Sequence, residues 1–199
     1  MNKEIKEWLL SIIIVVFAWL IISTFIGVVY KVSGDSMFPT FKDKDKVIVS
    51  KISNTTHTIS RGDVIVFHAN KKHDYIKRLI GVPGDKIESR NDVLYINNIK
   101  VDEDYLKENK LNKNDMMLTE NFTVKDLIHS NGKDRIPKNK YLVLGDNREV
   151  SIDSRRSLGL IDKDQIVGKV VLRIWPFNQF HINFYPDSFN KVNDPKSKM

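Results

Sequence analysis

An uncharged apolar run near the start of the chain, WLLSIIIVVFAWLIISTFIGVVY over residues 8–30, most constrains what this sequence can fold into. Its 23 residues exceed the roughly 20 that an α-helix needs to cross the hydrocarbon core of a membrane. A cleavable signal peptide would have a shorter apolar region and a small-residue cleavage site, and no Ala-x-Ala pattern follows this run. Trp8 and Tyr30 lie at its ends, as interfacial aromatic residues often do. The run therefore predicts one transmembrane helix.

Charge and composition suggest how the rest of the chain is placed. Residues 1–7 are predicted to form a cytoplasmic N-terminus and residues 31–185 an extracytoplasmic domain, because long domains translocate largely regardless of their charge. The net charge of +7 falls after residue 30, but lysines and acids are interspersed there, which favours a mixed solvated surface over an anion-binding one. The absence of cysteine excludes disulfides and thiolate metal sites, and fits the outer face of a bacterial membrane.

Short β-type runs separated by turns follow from residue 47 and predict a mainly β fold in one domain. The clearest runs are 47–52, 63–69, 75–82, 92–101, 140–146 and 166–175. Residues 86–138, which include a polar stretch with one β-like segment at 117–124, are predicted to form a smaller lobe inserted between core strands. The tail 186–199 contains two prolines and little apolar sequence, so it is predicted to be flexible.

Several common kinds of site have no support in the sequence. Without cysteines or a helical His-x3-His pair we expect no metal site and no cofactor, although five imidazoles are present at His57, His68, His73, His129 and His181. Ser-x-x-Lys occurs about as often as chance allows, and its Lys-Thr-Gly partner is missing. Neither a G-x-S-x-G elbow nor a phosphate-binding loop is present.

Four motifs in a fixed order carry the remaining signal: SGDSMFPT (33–40), RGDVIVF (61–67), YIKRLIGVPGD (75–85) and GDNREVSIDSRRSLG (145–159). Together with the apolar run, they resemble the signature boxes of the type I signal peptidase family, membrane-anchored serine proteases that remove signal peptides from exported proteins. The resemblance extends from residue 8 to about residue 175 and is closest to the short, single-span Gram-positive form. It implies a signal-peptidase/SOS-repressor-like β-fold with a small inserted lobe.

The chemistry of a serine and a lysine is consistent with this resemblance. A serine hydroxyl becomes a good nucleophile when a base removes its proton. An ordinary lysine is only about 0.04% neutral at pH 7, but burial that lowers its pKa to near 8 makes it about 10% neutral. Strand alternation puts Lys77 between Tyr75 and Leu79 on one face and predicts that Arg78 points to solvent. Alone, Ser36 would be a turn residue and Lys77 a solvated one; the resemblance makes them nucleophile and general base.

The resemblance also assigns the groups around this pair. The Ser36 amide is the main oxyanion donor; where some members add a serine, this chain has Gly34, so the second donor is the Gly34 amide, a water molecule or another group. Ser151 is assigned a hydrogen bond that orients the Lys77 amine. An ion pair and one further carboxylate support the site from below, and these residues are Asp153, Arg155 and Asp146. The RGDVIVF box is predicted to be a core strand without a catalytic role.

In this family the substrate lies extended beside the strands around the nucleophile, and two shallow pockets select small residues in an Ala-x-Ala pattern. Candidate walls are Val32, Asp35, Met37, Phe41, Tyr75 and Ile76. Phe41 replaces the family's usual leucine, and its larger ring is predicted to favour Ala or Gly over Ser before the cut. The expected partners are signal-peptide-bearing secretory pre-proteins and the lipid bilayer of the cell membrane, not nucleic acid.

Three alternatives remain to be weighed. Self-cleaving proteins of the SOS-repressor family use the same chemistry on a related fold, but they are soluble, and the apolar run argues against them. The second alternative is a catalytically silent, membrane-tethered relative that only binds. The presence of both Ser36 and Lys77 argues against it. A nucleic-acid binder is the third, and the sequence has no RNA-binding aromatic signature or helix-turn-helix pattern.

Overall fold

The computed structural model describes residues 3–25, 27–51 and 59–194. Its α-helices are α1 (Lys3–Phe25), α2 (Lys107–Leu111) and α3 (Asn190–Asn193). The 3-10 turns cover Asp104–Leu106, Val124–Asp126, Lys163–Gln165, Phe177–Gln179 and Asp187–Phe189. Over the described ranges, none of the helices combines the length and the apolar character that crossing a membrane requires.

The helix ends earlier than the predicted membrane span, which extends to residue 30. Helix α1 ends at Phe25, and a strand already begins at Val28, inside the range predicted to be helical. Gly27 lies between them with a φ of 154°, and a Cβ there would be 2.6 Å from the Val49 carbonyl oxygen. A glycine therefore lets the chain leave the helix and approach the sheet closely.

Within the described residues, the β structure consists of twelve strands. They are β1 (Val28–Lys31), β2 (Lys46–Ser50), β3 (Val64–His68), β4 (Asp74–Gly81), β5 (Ile87–Arg90), β6 (Val93–Ile96), β7 (Ile99–Val101), β8 (Phe122–Thr123), β9 (Lys140–Leu144), β10 (Ile161–Asp162), β11 (Ile166–Trp175) and β12 (His181–Ile182). The larger sheet has the order β1-β2-β11-β3-β4-β9-β10, with β12 paired to β11. The smaller sheet has the order β7-β6-β5-β8. The predicted mainly β fold is confirmed.

Strand β3 shows why the larger sheet can hold a buried site. Its Val64 and Val66 belong to one apolar cluster, and its Ile65 and Phe67 belong to another, so both faces of the strand are covered. The continuous apolar sequence VIVF is typical of a strand buried on both sides. Strand β4 lies between β3 and β9 and becomes fully buried from Lys77 onward. A charged side chain on that part of β4 must therefore find its partners inside the protein.

The smaller sheet and α2 lie within residues 86–138, the segment predicted to be an inserted lobe. The described part of the predicted flexible tail, residues 186–194, contains a 3-10 turn and helix α3. Phe189 and Val192 from this segment are buried in a core cluster, because their spacing of three residues places both on one side of a helical turn. Residues 195–199 lie outside the described part of the chain.

Candidate active site

Ser36 lies in the turn that follows β1, where it is half-buried at the edge of a cleft of about 510 Å³. The buried side chains of Val32 and Met37 anchor the turn on either side. Within it, the Phe38 amide donates to the Asp35 carbonyl over 3.1 Å. The buried side chains of Val32 and Met37 thus hold a polar turn in a fixed position.

Lys77 reaches this turn from β4. Its Nζ lies 2.6 Å from Ser36 Oγ, and only 3% of the residue is exposed. In the ladder it lies opposite Ile65 of β3, and its ammonium is 5.5 Å from the centre of the Tyr75 ring. Burial lowers the pKa of Lys77 from 10.5 to about 8, against the attraction of Asp153 and Asp146, while the charge of Arg155 lowers it further.

This pKa gives the pair its chemical capacity. With a pKa of about 8, roughly one molecule in ten carries a neutral Lys77 amine at pH 7. A neutral amine at 2.6 Å accepts the hydrogen of the Ser36 hydroxyl, whereas an ammonium would donate to it. The geometry therefore places a base within hydrogen-bonding reach of a hydroxyl nucleophile.

Asp153 and Arg155 form a buried ion pair beside the lysine. The Arg155 Nε and Nη2 groups donate to the two Asp153 carboxylate oxygens, each over 2.9 Å. The Gly145 amide donates to the same carboxylate over 2.9 Å. Burial works to raise the pKa of Asp153, but the hydrogen bonds and charge of Arg155 and the Gly145 amide hold it below its usual value. A fixed negative charge is thus kept near the Lys77 amine.

Gly145 allows the turn at 145–147 to approach the nucleophile turn. A Cβ at this position would lie 2.1 Å from Ser151 Oγ and 2.5 Å from the Ser36 carbonyl oxygen, closer than real Cβ contacts allow. Two residues further along, the Asn147 amide donates to the Ser36 carbonyl over 3.0 Å. In the GDN sequence, close packing therefore requires the glycine, and the Asn147 amide holds the nucleophile turn in place.

The oxyanion donors can be compared directly. Among the described residues, no acceptor pairs with the Ser36 amide, so its N–H is free for an oxyanion. The Gly34 amide donates to Asp43 Oδ1 over 2.9 Å. This bond argues against the Gly34 amide among the three alternatives for the second oxyanion donor, because the amide already has an acceptor. The φ of 77° at Gly34 lies in the left-handed region, which favours glycine at this position.

Comparison with known proteins supplies the family. The profile of the family described as "Signal peptidase, peptidase S26" matches residues 5–175. The chain is similar to signal peptidase IB of Staphylococcus aureus strain MRSA252, with 52% identity over 189 residues, 94% of this chain and 98% of that protein. It is 46% identical to signal peptidase I of Bacillus caldolyticus over 183 residues, 92% of this chain and 97% of that protein.

The chain belongs to the signal peptidase family S26. A crystal structure of a signal peptidase I from Enterococcus faecalis V583 also matches it, with a TM-score of 0.51, 38% identity, and coverage of 56% of this chain and 95% of that one. As a type I signal peptidase it is a serine peptidase, a hydrolase that removes signal peptides from secretory pre-proteins.

The prediction that the Arg78 side chain of the peptidase points to solvent is wrong, because this side chain is buried. It is 1% exposed, and its Nε and Nη2 groups donate to the two oxygens of Asp146 over 2.9 and 2.7 Å. Its Nη1 group donates to the carbonyls of Gly62 and Phe184 over 2.7 and 2.8 Å. Alternation along the strand was predicted correctly, but both faces of β4 are buried, so its second face meets the Asp146 carboxylate instead of water.

Ser151 also differs from its predicted role. Its Oγ is buried and has no hydrogen bond of acceptable geometry to any described residue, Lys77 included. The hydroxyl faces Asp153 closely enough to help lower the pKa of that carboxyl, and it packs against Gly145. The predicted orienting bond to Lys77 is therefore absent from this structure, where the Lys77 amine is directed to Ser36.

The cleft contains most of the predicted substrate-binding residues. Its lining includes Val32, Asp35, Met37, Tyr75 and Ile76. Phe41 does not line it; the ring is fully buried, with its centroid 4.5 Å from that of Phe184. The prediction that Phe41 narrows a substrate pocket is corrected, because the buried end of the turn directs this ring into the core. Sequence analysis missed Val150 and Ile152, two exposed apolar residues of the GDNREVSIDSRRSLG box that line the cleft.

Two buried ion pairs of the peptidase were also missed. Arg61 of the RGD box donates to both oxygens of Asp85 in the PGD box, over 2.6 and 2.7 Å. Arg148 pairs with Glu103, which lies in the segment predicted to be an inserted lobe. For the first pair the available signal was that Arg61 and Asp85 stand in two of the four motifs, whereas Glu103 lies outside all of them. Among the described residues, no cluster of three or more histidines and acids suited to a metal is present, and His57 lies outside them.

Proposed function

We propose that the chain is a membrane-anchored endopeptidase in which Ser36 is the nucleophile and Lys77 the general base, and that it cuts after Ala-x-Ala sequences. The observation that carries this proposal is the 2.6 Å separation between Lys77 Nζ and Ser36 Oγ, at a lysine whose pKa burial lowers to about 8. A lysine base needs both reach and a neutral amine, and this pair has the conditions for both.

In the proposed reaction, the neutral Lys77 amine takes the Ser36 proton while Oγ attacks the carbonyl carbon of the scissile peptide bond. The carbonyl electrons move to oxygen, and the free Ser36 amide donates to that oxyanion. Collapse breaks the C–N bond as the Lys77 ammonium gives its proton to the leaving amine, which is the new N-terminus of the mature protein. Lys77 then takes a proton from a water molecule whose oxygen attacks the ester carbonyl. The bond to Ser36 Oγ breaks, the Lys77 ammonium returns the proton to Oγ, and the signal peptide leaves with a new C-terminal carboxylate.

The edge of β1 supports an extended mode of substrate binding. Val32 makes both of its backbone bonds on the β2 side, donating to the Asp45 carbonyl over 2.8 Å and accepting from the Lys44 amide over 3.0 Å. Because neighbouring residues in a ladder point their backbone groups to opposite sides, those of Lys31 and Ser33 face away from β2. A substrate strand pairing there would lead to Ser36, with its alternate side chains entering the cleft.

Membrane anchoring is proposed from two features. The first is the uncharged run of residues 8–30, which immediately precedes the nucleophile turn. The second is a group of exposed apolar side chains where β11 ends and β12 begins: Trp175, Phe177, Phe180 and Ile182, of which Phe177 is 76% exposed. An exposed apolar group of this kind marks a contact with lipid or another protein. A signal peptide is itself membrane-bound, so both features would bring the cleft to its substrate.

The test is cleavage of an exported precursor with an Ala-x-Ala site by the full chain in detergent or lipid, followed by mass spectrometry of the product. We expect no cleavage by Ser36→Ala or Lys77→Ala, while the matched controls Ser157→Ala and Lys71→Ala, both at exposed positions, cleave at the wild-type rate. Cleavage by Ser36→Ala at the wild-type rate would reject the proposed nucleophile. If the wild-type chain binds the precursor but leaves it uncut, the result would favour the alternative of a catalytically silent, membrane-tethered binding protein.

A further inference from the structure

Asn109 connects the inserted lobe to the active site. It lies in the short helix α2, within residues 86–138, and is 9% exposed. Its side-chain Nδ2 donates to the carbonyl of Phe38 over 2.7 Å and to the carbonyl of Asp146 over 2.9 Å. One amide group thus uses both of its hydrogens on backbone oxygens from two different segments of the chain.

The two carbonyls belong to the turns that build the active site. Phe38 follows Ser36 by two residues in the nucleophile turn, and Asp146 follows Gly145 in the turn at 145–147. These two turns contact each other through the bond from the Asn147 amide to the Ser36 carbonyl. They meet again where Thr40 Oγ1 donates to Asp146 Oδ2 over 2.5 Å. Asn109 therefore ties together the segment that carries the nucleophile and the segment that supports it.

We propose that Asn109 is a positioning residue, which holds the nucleophile turn against the turn at 145–147 and so keeps the Ser36 hydroxyl aligned with Lys77. The inference rests on the proposed roles of Ser36 and Lys77, and extends them by giving the inserted lobe a part in catalysis. A second tie supports this role for the lobe. Arg148 donates to the Gly145 carbonyl over 2.9 Å while its other end pairs with Glu103 of the lobe.

The expected signature is a loss of turnover without a loss of substrate binding. Asn109 is absent from the residues that line the cleft, so its removal leaves the substrate contacts in place. Without it, the carbonyls of Phe38 and Asp146 lose a buried donor, and the turn that carries Ser36 is held by fewer bonds. Misplacement of a nucleophile by a fraction of an ångström to 1 Å corresponds to roughly a 10- to 100-fold loss of rate.

The experiment compares Asn109→Ala and Asn109→Asp with Asn112→Ala, all in the full chain, by measuring kcat and KM for cleavage of an Ala-x-Ala precursor. Asn112 is a matched control because it lies at the end of the same helix, is exposed, and bonds only locally, to the Glu108 carbonyl. We expect kcat of Asn109→Ala to fall roughly 10- to 100-fold with KM nearly unchanged. Asn109→Asp should be at least as impaired, because it is isosteric but directs carboxylate oxygens at two carbonyl oxygens.

Near-UV circular dichroism at the assay temperature ensures that only folded variants are compared. Wild-type kcat in folded Asn109→Ala, or in the isosteric Asn109→Asp, would overturn the inference, since a residue that merely fills space would tolerate the second change. A fall in kcat that matches the fraction of unfolded protein would overturn it as well. Ser36→Ala separates the two proposals: if it is inactive while Asn109→Ala is fully active, only the role of Asn109 fails.

Discussion

Replacing Lys77 by methionine should inactivate the enzyme and at the same time make the folded protein more stable near pH 7. Lys77 is 3% exposed, and burial is the main cause that lowers its pKa to about 8. Below that pH the folded protein holds a buried ammonium that water would solvate better in the unfolded chain. Methionine is unbranched and adaptable, so it can occupy most of the space of the lysine stem without a charge.

The magnitude follows from the shift in pKa. A fall from 10.5 to about 8 corresponds to about 3 kcal/mol of unfavourable free energy for the charged form in the folded state. The Ser36 hydroxyl loses its partner in the variant, but it lies at the edge of an open cleft, where water can replace the lysine. We therefore expect Lys77→Met to raise the free energy of unfolding at pH 7 by about 2 to 3 kcal/mol.

Urea unfolding measured at several pH values provides the assay. The wild-type penalty is fully present below the folded pKa of about 8 and is released as the pH rises to 10.5, where the unfolded lysine also loses its proton. The stability difference between Lys77→Met and wild type should therefore be constant up to about pH 8, decrease above it, and vanish above about pH 10.5. Lys71→Met, at an exposed lysine, is the control and should show no comparable gain.

A variant that is less stable than wild type at pH 7, or whose stability difference does not change between pH 8 and 10.5, would refute this reasoning. The first result would mean that attraction to Asp153 and Asp146 outweighs the cost of burial. The second would mean that Lys77 has the same pKa in the folded and unfolded chains, and that no neutral amine is favoured at the site.

Two further substitutions test the supporting structure. Gly145→Ala should lower kcat roughly 100-fold in a precursor-cleavage assay, because its Cβ would overlap Ser151 Oγ and the Ser36 carbonyl; wild-type kcat would show that the two turns can separate without harm. Arg78→Met should lower the free energy of unfolding in urea by about 3 to 5 kcal/mol, because it leaves the buried Asp146 carboxylate without its cation. A loss below about 1 kcal/mol would contradict the buried pairing.

The sequence predicted the elements of the fold better than their environment. Alternation and turn residues located the strands around Lys77 closely, because hydrophobic periodicity is a local property of the chain. The same alternation could not show that the face with Arg78 is covered, since that depends on which strands and loops come to lie over it. The tail was predicted to be flexible for the same reason: Phe189 and Val192 become informative only when the core that receives them is known.

For the site as well, the sequence predicts which residues take part better than it predicts their hydrogen bonds. The motifs predict a pair formed by Ser36 and Lys77 and an ion pair between Asp153 and Arg155. In the structure Lys77 Nζ lies 2.6 Å from Ser36 Oγ and the ion pair is formed, while the catalytic roles stay a proposal. The roles of Gly34 and Ser151 depend on hydrogen-bond geometry, and spacing along the chain cannot predict that a particular amide or hydroxyl is already engaged or turned away.

The sequence gives no signal for Asn109, because its proposed role depends on hydrogen bonds from helix α2 to two distant turns. Its two contacts are 71 and 37 residues away along the chain, and a polar residue in a polar segment gives no sign of such burial. Long-range contacts of this kind follow from the assembled fold and not from a local pattern.

The dependence of kcat/KM on pH tests the role of Lys77 most directly. If the neutral Lys77 amine is the base, kcat/KM should rise about tenfold per pH unit on the acid side and level off above a pKa of about 8, the value that burial gives this lysine. A midpoint near 10.5 would mean that the lysine is not desolvated in the working enzyme. A midpoint near 6.5, the ordinary range of histidine, would mean that another group removes the Ser36 proton.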